Sequence, residues 1–281
     1  MGASADRERA LDALESGKVA FLPGLAFEFA PGERRFLDPA CSDGKAKNIS
    51  FDPSTGAVCG AALGGGDRTA LRQLLVRFGT GARTLVCGLF PRYAPHLELG
   101  RASLRPVAID GRRMSPRKDA RRLHVDAFPS RPVQGRRILR VFVNVDPRGA
   151  ARVWQVGEAF ADYARHFLPR RSWAMPGTAR LLEALAITKG RRTPYDRLML
   201  CLHDRAKADA AYQATARREG VRFPAGSSWI VFTDLVPHAA VAGRGALEQT
   251  FYLPVAAMHD PSLAPLRILE RLTKRRLVPG A

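Results

Sequence analysis

HVDAFPSRPVQGRRILRVFVNV, residues 124–145, joins a His-x-Asp pair to an apolar strand that carries one arginine in its middle. On an extended backbone, residues two apart point to the same side, so His124 and Asp126 can meet one ligand while Val125 packs behind them. His238, 112 residues beyond Asp126, supplies a second imidazole. Two imidazoles and one carboxylate are the facial triad of non-haem Fe(II) oxygenases, which leaves coordination positions for a chelating co-substrate and dioxygen. The pair alone is weak. With six His and 26 acidic residues in 281 it can arise by chance, and the plainer alternative is a half-buried histidine beside a turn aspartate. His96 and His166 lack an acidic residue two positions away, His203 and Asp204 are adjacent and diverge on a strand, and His259 sits in a Pro-rich tail. Surface or core roles are expected for these four.

The surroundings of the pair decide the fold. Arg137–Val145 ends at Asp146-Pro147-Arg148-Gly149, a strong turn signal, and Val153–Val156 reads as the returning strand of a hairpin. A mostly helical insert follows over residues 158–219, including Thr178 to Ile187. Strands then return over Ser228–Thr233 and Leu247–Leu253, separated by Asp234–His238 and the Gly243–Gly245 turn. Short strands between Pro and Gly turns, with ligands about 100 residues apart, fit a double-stranded β-helix, or jelly roll. The expected class is α+β with a mainly β core, flanking helices and a helical insert. One domain is expected over residues 1–281: a supporting α/β region to residue 95, a jelly-roll core over 96–255, and a basic helix in 256–281. In the first region Ser4 reads as the cap of a helix ending before Gly17, and Asp67 as the cap of a helix with Leu71, Leu74, Leu75 and Phe78 on its buried stripe.

The chain carries a formal charge of +19. Such a field attracts polyanions, whether nucleic acid, anionic lipid or a phosphorylated or carboxylated substrate, and it also describes a merely soluble basic surface. The abundance of Arg over Lys suits bidentate recognition of phosphate or carboxylate. No apolar run approaches the ~20 residues of a membrane span, and the acidic residues Asp6, Glu8, Asp12 and Glu15 argue against a secretory signal. Four widely spaced cysteines form neither a zinc motif nor a disulfide scaffold, so they read as reduced thiols of a cytoplasmic protein.

An oxygenase that uses 2-oxoglutarate needs a cation for the distal carboxylate of that co-substrate. The window about ten residues after His238 holds Glu248 and Gln249 instead, but Arg140 stands 16 residues after His124 inside the apolar strand. An arginine flanked by Leu139 and Val141 must be ion-paired or ligand-bound.

Together, HVDAFPSRP (124–132), Arg137–Asn144, ITKGRRTPYD (187–196), LMLCLHD (198–204) and Gly226–Pro254 resemble the Kdo hydroxylase family, over about residues 85–275. The resemblance implies an Fe(II)/2-oxoglutarate-dependent dioxygenase of Gram-negative bacteria. Its expected reaction is hydroxylation of carbon 3 of 3-deoxy-D-manno-oct-2-ulosonic acid (Kdo) on a Kdo-bearing lipid A precursor. It implies that His124, Asp126 and His238 bind iron, that Arg140 pairs with 2-oxoglutarate, and that Trp154, Gln249, Arg105 and Ser115 are further co-substrate contacts. Core packing of Trp154 and a structural hydrogen bond from Gln249 are the plainer alternatives. Arg131, Arg152, Lys189, Arg191 and Arg192 are candidate anchors for the glycolipid, against the alternative of solvated faces.

The expected partners are this glycolipid and an anionic membrane surface on the cytoplasmic face, with no nucleic acid. The last helix, with Leu266, Leu269 and Leu272 among basic residues, could lie on that membrane or pack on the barrel. The competing readings are an oxygenase acting on protein or nucleic acid and a non-enzymatic anionic-lipid or nucleic-acid binder. AlkB-like demethylases place two Arg, six apart, after the distal His, whereas here Arg244 stands alone until Arg267.

Overall fold

In the computed structural model the described residues are 2–109, 114–168 and 190–279. Strands β1 (Ala20–Leu22), β2 (Ile49–Asp52), β3 (Ala57–Cys59), β4 (Glu98–Arg105), β5 (Arg137–Asn144), β8 (Ser228–Phe232) and β10 (Ala246–Leu253) form one antiparallel sheet in the order β1-β8-β5-β10-β4-β2-β3. The strands β6 (Arg152–Val156), β7 (Glu219–Phe223) and β9 (His238–Ala242) form a second sheet, β7-β6-β9. The jelly-roll expectation is met. The N-terminal region does more than support it, because β1 pairs with β8 and β2 with β4.

Tight turns carry the chain from one sheet to the other. Asp146 closes the turn after β5 by accepting the Arg148 amide at 2.7 Å. The chain then enters β6, which pairs with β7 and β9, so Val153–Val156 does not form the expected hairpin with β5. Between β9 and β10, Gly245 takes φ +64°, and a Cβ there would meet Asp146 Cα at 2.8 Å. Only glycine fits that crossing.

Strand alternation divides the side chains. From β5, Phe142 points between the sheets and stacks on Trp229 at 5.1 Å, while Trp154 meets Phe142 edge-on at 5.0 Å. Phe223 stacks on Trp229 at 3.9 Å. Each such aromatic pair adds ~0.5–1.5 kcal/mol beyond its area burial. The opposite face of the large sheet, with Val143, Leu104 and Leu247, packs on Leu71, Leu74, Leu75 and Phe78 of α2 (Gly65–Leu89). Gln249 sits in this outward row, between Leu247 and Phe251. Its amide donates to the carbonyls of Gly100 and Thr250 at 3.1 and 2.6 Å. It therefore faces the helices, away from the space between the sheets, which corrects its expected role as a co-substrate contact.

Helix boundaries differ from the sequence reading in three places. The first helix, α1 (Gly2–Glu15), begins before Ser4, while Gly17 follows its end at φ +92°. α2 starts with Gly64 as its N-cap, so Asp67 lies inside the first turn, where it pairs with Arg35 at 2.9 Å. The insert contains α3 (Phe160–Phe167), α4 (Pro194–Ala208) and α5 (Ala210–Thr215), and the expected helix at 178–187 lies outside the described residues. The last helix, α6 (Pro265–Thr273), buries Leu266 and Leu269 against the core, so its apolar stripe is used internally. No described helix is long and apolar enough to cross a membrane.

A buried ion pair braces the corner between β8 and β9. Arg137 and Asp234 have side chains 0% and 1% exposed, and they pair through Nε–Oδ2 at 2.8 Å and Nη2–Oδ1 at 3.3 Å. We predict that Asp234→Ala costs about 3–5 kcal/mol in denaturant unfolding, because it leaves the Arg137 charge buried and unpaired. A loss below ~1 kcal/mol would show that the corner is held by something else. Gln249→Leu should cost about 1–2 kcal/mol from two lost buried hydrogen bonds and leave the KM for 2-oxoglutarate unchanged. A raised KM would return Gln249 to the site.

Candidate active site

The two histidines are brought together by their own backbones. His124 donates its amide to the His238 carbonyl at 3.1 Å, and His238 donates to the His124 carbonyl at 2.9 Å, an isolated antiparallel bridge. Asp126 is fixed two residues on by its amide bond to the Thr233 carbonyl at 2.8 Å. His124–Asp126 is thus an extended segment with one bridge and no regular strand, yet the expected alternation holds. Val125 is 0% exposed in the core, while His124 and Asp126 line a cavity.

Each imidazole is oriented by a carbonyl. The Nδ1–H of His124 donates to Arg122 O at 2.7 Å, and that of His238 to Val236 O at 2.8 Å. The tautomers follow from these partners and leave Nε2 of both rings as ligand atoms. Trp154, expected among the co-substrate contacts, lies 2% exposed between the sheets, and its indole stacks on the His238 ring at 4.9 Å and 18°. It fixes the ring from behind.

Ligand atoms of His124, Asp126 and His238 lie within 4.8 Å of one another. Burial lowers both imidazoles, His124 well below its usual range, so both are neutral near pH 7. Burial pushes Asp126 up, but Arg140 and the two histidines outweigh it and hold the carboxyl well below the usual range. Asp126 Oδ2 is buried without a hydrogen bond, although Arg140 Nη1 stands 3.1 Å away. Two neutral imidazoles, an ionised carboxylate and a ligand oxygen left unbonded fit a divalent metal with open positions, and the three-ligand set resembles no closed structural zinc site.

Arg140 points between the sheets from the middle of β5. Its Nη1 lies 3.1 Å from both Asp126 Oδ2 and Glu248 Oε1, and its Nε has no hydrogen bond. Arg105 from β4 donates through Nε to Glu248 Oε2 at 3.0 Å. Arg152, on β6, is 2% exposed, and its Nε and Nη1 have no partner. Burial and the Arg105 charge lower the Arg152 guanidinium to about 9. Three guanidiniums thus share the interior with Glu248 and the metal-ligand Asp126, an excess of positive charge with unfilled donors.

The cavity has a volume of about 1020 Å³. Nine Lys and Arg side chains line it against two carboxylates among the described residues, so its lining is strongly cationic. Arg131, Arg101 and Ser115 stand on its lining, with Arg131 paired to Asp52 and Arg101 3.6 Å from that carboxylate. Arg191 and Arg192 do not line it. Arg191 is exposed, and Arg192 donates to the Pro129 carbonyl. Lys189 lies outside the described residues. Arg152, expected as an anchor near the site, is buried beside Arg105 and is not on the lining of this cavity.

Three cavity residues were not among the expected site residues, and one of them, His203, was expected in a surface or core role. Lys47 reaches the cavity from the loop before β2, and His203 and Lys207 reach it from α4. The His203 ring meets His124 edge-on at 5.3 Å, and its Nδ1 lies 3.0 Å from Asp204. The adjacency of His203 and Asp204, which would split them on a strand, brings them together on a helix.

Comparison with solved structures gives the same architecture. The Kdo hydroxylase KdoO, a non-haem Fe(II) α-ketoglutarate-dependent dioxygenase, in complex with α-ketoglutarate and Fe(III), aligns with TM-score 0.94 at 44% identity, covering 99% of this chain and 93% of that one. The cobalt(II) complex of KdoO aligns with TM-score 0.94 at 45% identity, and the complex with succinate and Fe(III) with 0.93 at 45%, each over the same shares of the two chains. A search of curated proteins found no match. The family profile of 3-deoxy-D-manno-oct-2-ulosonic acid (Kdo) hydroxylase matches residues 2–276, so the chain belongs to the Kdo hydroxylase family.

Proposed function

We propose that this chain is an Fe(II)/2-oxoglutarate-dependent dioxygenase that hydroxylates the deoxy carbon, carbon 3, of Kdo on a Kdo-bearing lipid A precursor. The observation that carries this reading is the buried set of two neutral imidazoles and one ionised carboxylate opening into a strongly cationic cavity. Bound Fe(II), with 2-oxoglutarate and dioxygen, supplies the oxidising power to replace C–H by C–OH while the keto acid becomes succinate and carbon dioxide. His124, Asp126 and His238 would hold the metal.

The remaining residues bind and orient. Arg152, with its free donors, its neighbour Arg105, and Arg140 across the Glu248 carboxylate suit the distal carboxylate of a dianionic keto acid, which would quench the interior excess of positive charge. Ser115 lines the same cavity. Trp154 and the two carbonyl bonds keep the imidazoles from turning. The aromatic layer of Phe142, Trp154, Phe223 and Trp229 backs His238 and excludes water. No general base is needed at an unactivated methylene.

At the mouth, Lys45, Arg101, Arg117, Lys118 and Arg131 offer charge to the lipid A phosphates. The exposed Arg271, Lys274, Arg275 and Arg276 suit contact with an anionic membrane surface.

Mass spectrometry of the glycolipid incubated with protein, Fe(II), 2-oxoglutarate and air should find one added oxygen on Kdo. The gain should vanish without 2-oxoglutarate and in His238→Ala. Succinate formation with no gain would keep the oxygenase and discard the substrate, and neither signal would discard the metal reading. Arg152→Met should raise the KM for 2-oxoglutarate by about 10- to 100-fold, as expected for a lost charge-assisted hydrogen bond. An unchanged KM would reassign the distal carboxylate to Arg105 and Arg140.

A further inference from the structure

Lys207 is a buried cation with no partner of its own. It lies in the last turn of α4, 1% exposed, and lines the cavity with His124, Asp126 and His203. Its backbone is tied to the metal-ligand segment, since Arg122 Nη1 donates to the Lys207 carbonyl at 2.7 Å. Its charge is felt by His124 and His238, and it feels Asp126, Asp119 and Asp204 in return. All three carboxylates are committed elsewhere. Asp126 stands with the metal ligands and Arg140, Asp119 pairs with Arg121 at 2.9 Å, and Asp204 pairs with Arg117 at 2.9 Å and His203 at 3.0 Å. Among the described residues no carboxylate oxygen comes within 4 Å of its ammonium group, and no protein acceptor takes a hydrogen bond from it. A buried ammonium left in this state calls for an anion from outside the chain.

The chemistry of the sugar says which anion belongs there. In 3-deoxy-D-manno-oct-2-ulosonic acid the carboxyl carbon C1 and the methylene C3 are both bonded to C2. A C3 hydrogen turned towards the metal site therefore carries the carboxylate close to the metal ligands, in the part of the cavity that Lys207 lines with His124 and Asp126. Arg105, Arg140 and Arg152 stand on strands β4, β5 and β6 and are the cations that suit the co-substrate. Lys207 comes instead from the helical insert. We propose that Lys207 holds the C1 carboxylate of the sugar acid and thereby sets which methylene hydrogen is presented. This rests on the hydroxylase reading and adds its substrate-recognition residue. Arg117, through Asp204 and His203, braces the same helix face.

The test compares the Kdo-bearing lipid A precursor with its C1 carboxamide, which keeps the shape and removes the charge. Binding is measured by calorimetry on protein loaded with Co(II) and 2-oxoglutarate, so turnover is not required. Wild type should prefer the acid by about 10- to 100-fold, the range of a hydrogen bond to a charged group. Lys207→Met should bind acid and amide equally, and Lys207→Arg should keep most of the preference. Lys207→Met should unfold at or above the wild-type temperature, because an apolar chain replaces an unpaired buried charge.

A wild-type preference that persists in Lys207→Met overturns the proposal, as does a wild type that binds acid and amide alike. Weakened 2-oxoglutarate binding with the acid preference intact would assign the cation to the co-substrate and also overturn it. A wild type that discriminates in binding but adds no oxygen to Kdo would sink the hydroxylase reading while leaving the carboxylate clamp in place. If neither glycolipid binds, both fall.

Discussion

The reciprocal bridge between His124 and His238 is the contact on which the site depends. Two amides and two carbonyls exchanged across one residue pair bring together positions more than a hundred residues apart. Because the link is made by backbone, it fixes the origin of both side chains before any ring orientation is chosen. The Nδ1 bonds to Arg122 and Val236 then choose it, each from two residues upstream of the ligand. The corner leading to His238 is set by Asp234 and Arg137, and the crossing after β9 by the contact of Gly245 with Asp146. Metal geometry is therefore inherited from the turns that pass the chain between the two sheets.

Those same turns create the charge problem of the interior. Closing two sheets around Arg105, Arg140 and Arg152 removes three guanidiniums from water, and Glu248 is the carboxylate placed among them on β10. Glu248 engages Arg105 and Arg140 and leaves Arg152 with free donors. A second glutamate would satisfy the fold and leave less room for an anionic ligand. The incomplete neutralisation is best understood as the binding site itself.

Much of this was legible in the residue pattern, and the misses have physical causes. His124, Asp126 and Arg140 could be found because alternation along an extended chain is local and survives any tertiary arrangement. The same rule would have placed Gln249 correctly, since it occupies the apolar row Leu247, Phe251, Leu253, opposite to Glu248, Thr250 and Tyr252. The pairing of β6 was missed because Asp146-Pro147-Arg148-Gly149 states that the chain turns and says nothing of which sheet it enters. His203, set aside as a surface or core residue, and Lys207 fell outside the expected site for a deeper reason. Which face of a helical insert meets a barrel is decided by long-range packing, such as Tyr163 and Leu202 joining the main core.

Some of the unsatisfied buried groups sit where a ligand would complete them. Asp126 Oδ2, Arg140 Nε and Trp154 Nε1 are buried without hydrogen bonds at the metal-ligand set, and Nε and Nη1 of Arg152 are unbonded near Arg105, while others such as Tyr195 Oη and Trp229 Nε1 lie elsewhere. Each is a cost to folding that an apolar or paired replacement would relieve. The Arg137–Asp234 pair, by contrast, is completed within the chain, through Nε–Oδ2 and Nη2–Oδ1. At Asp126 and Arg140 the breach of polar satisfaction falls where ligands would complete it, and it is offset by the packing around it. Lys207 extends the same logic from the strands to the helical insert. An unpaired ammonium there marks the remaining wall of the cavity as a place for negative charge.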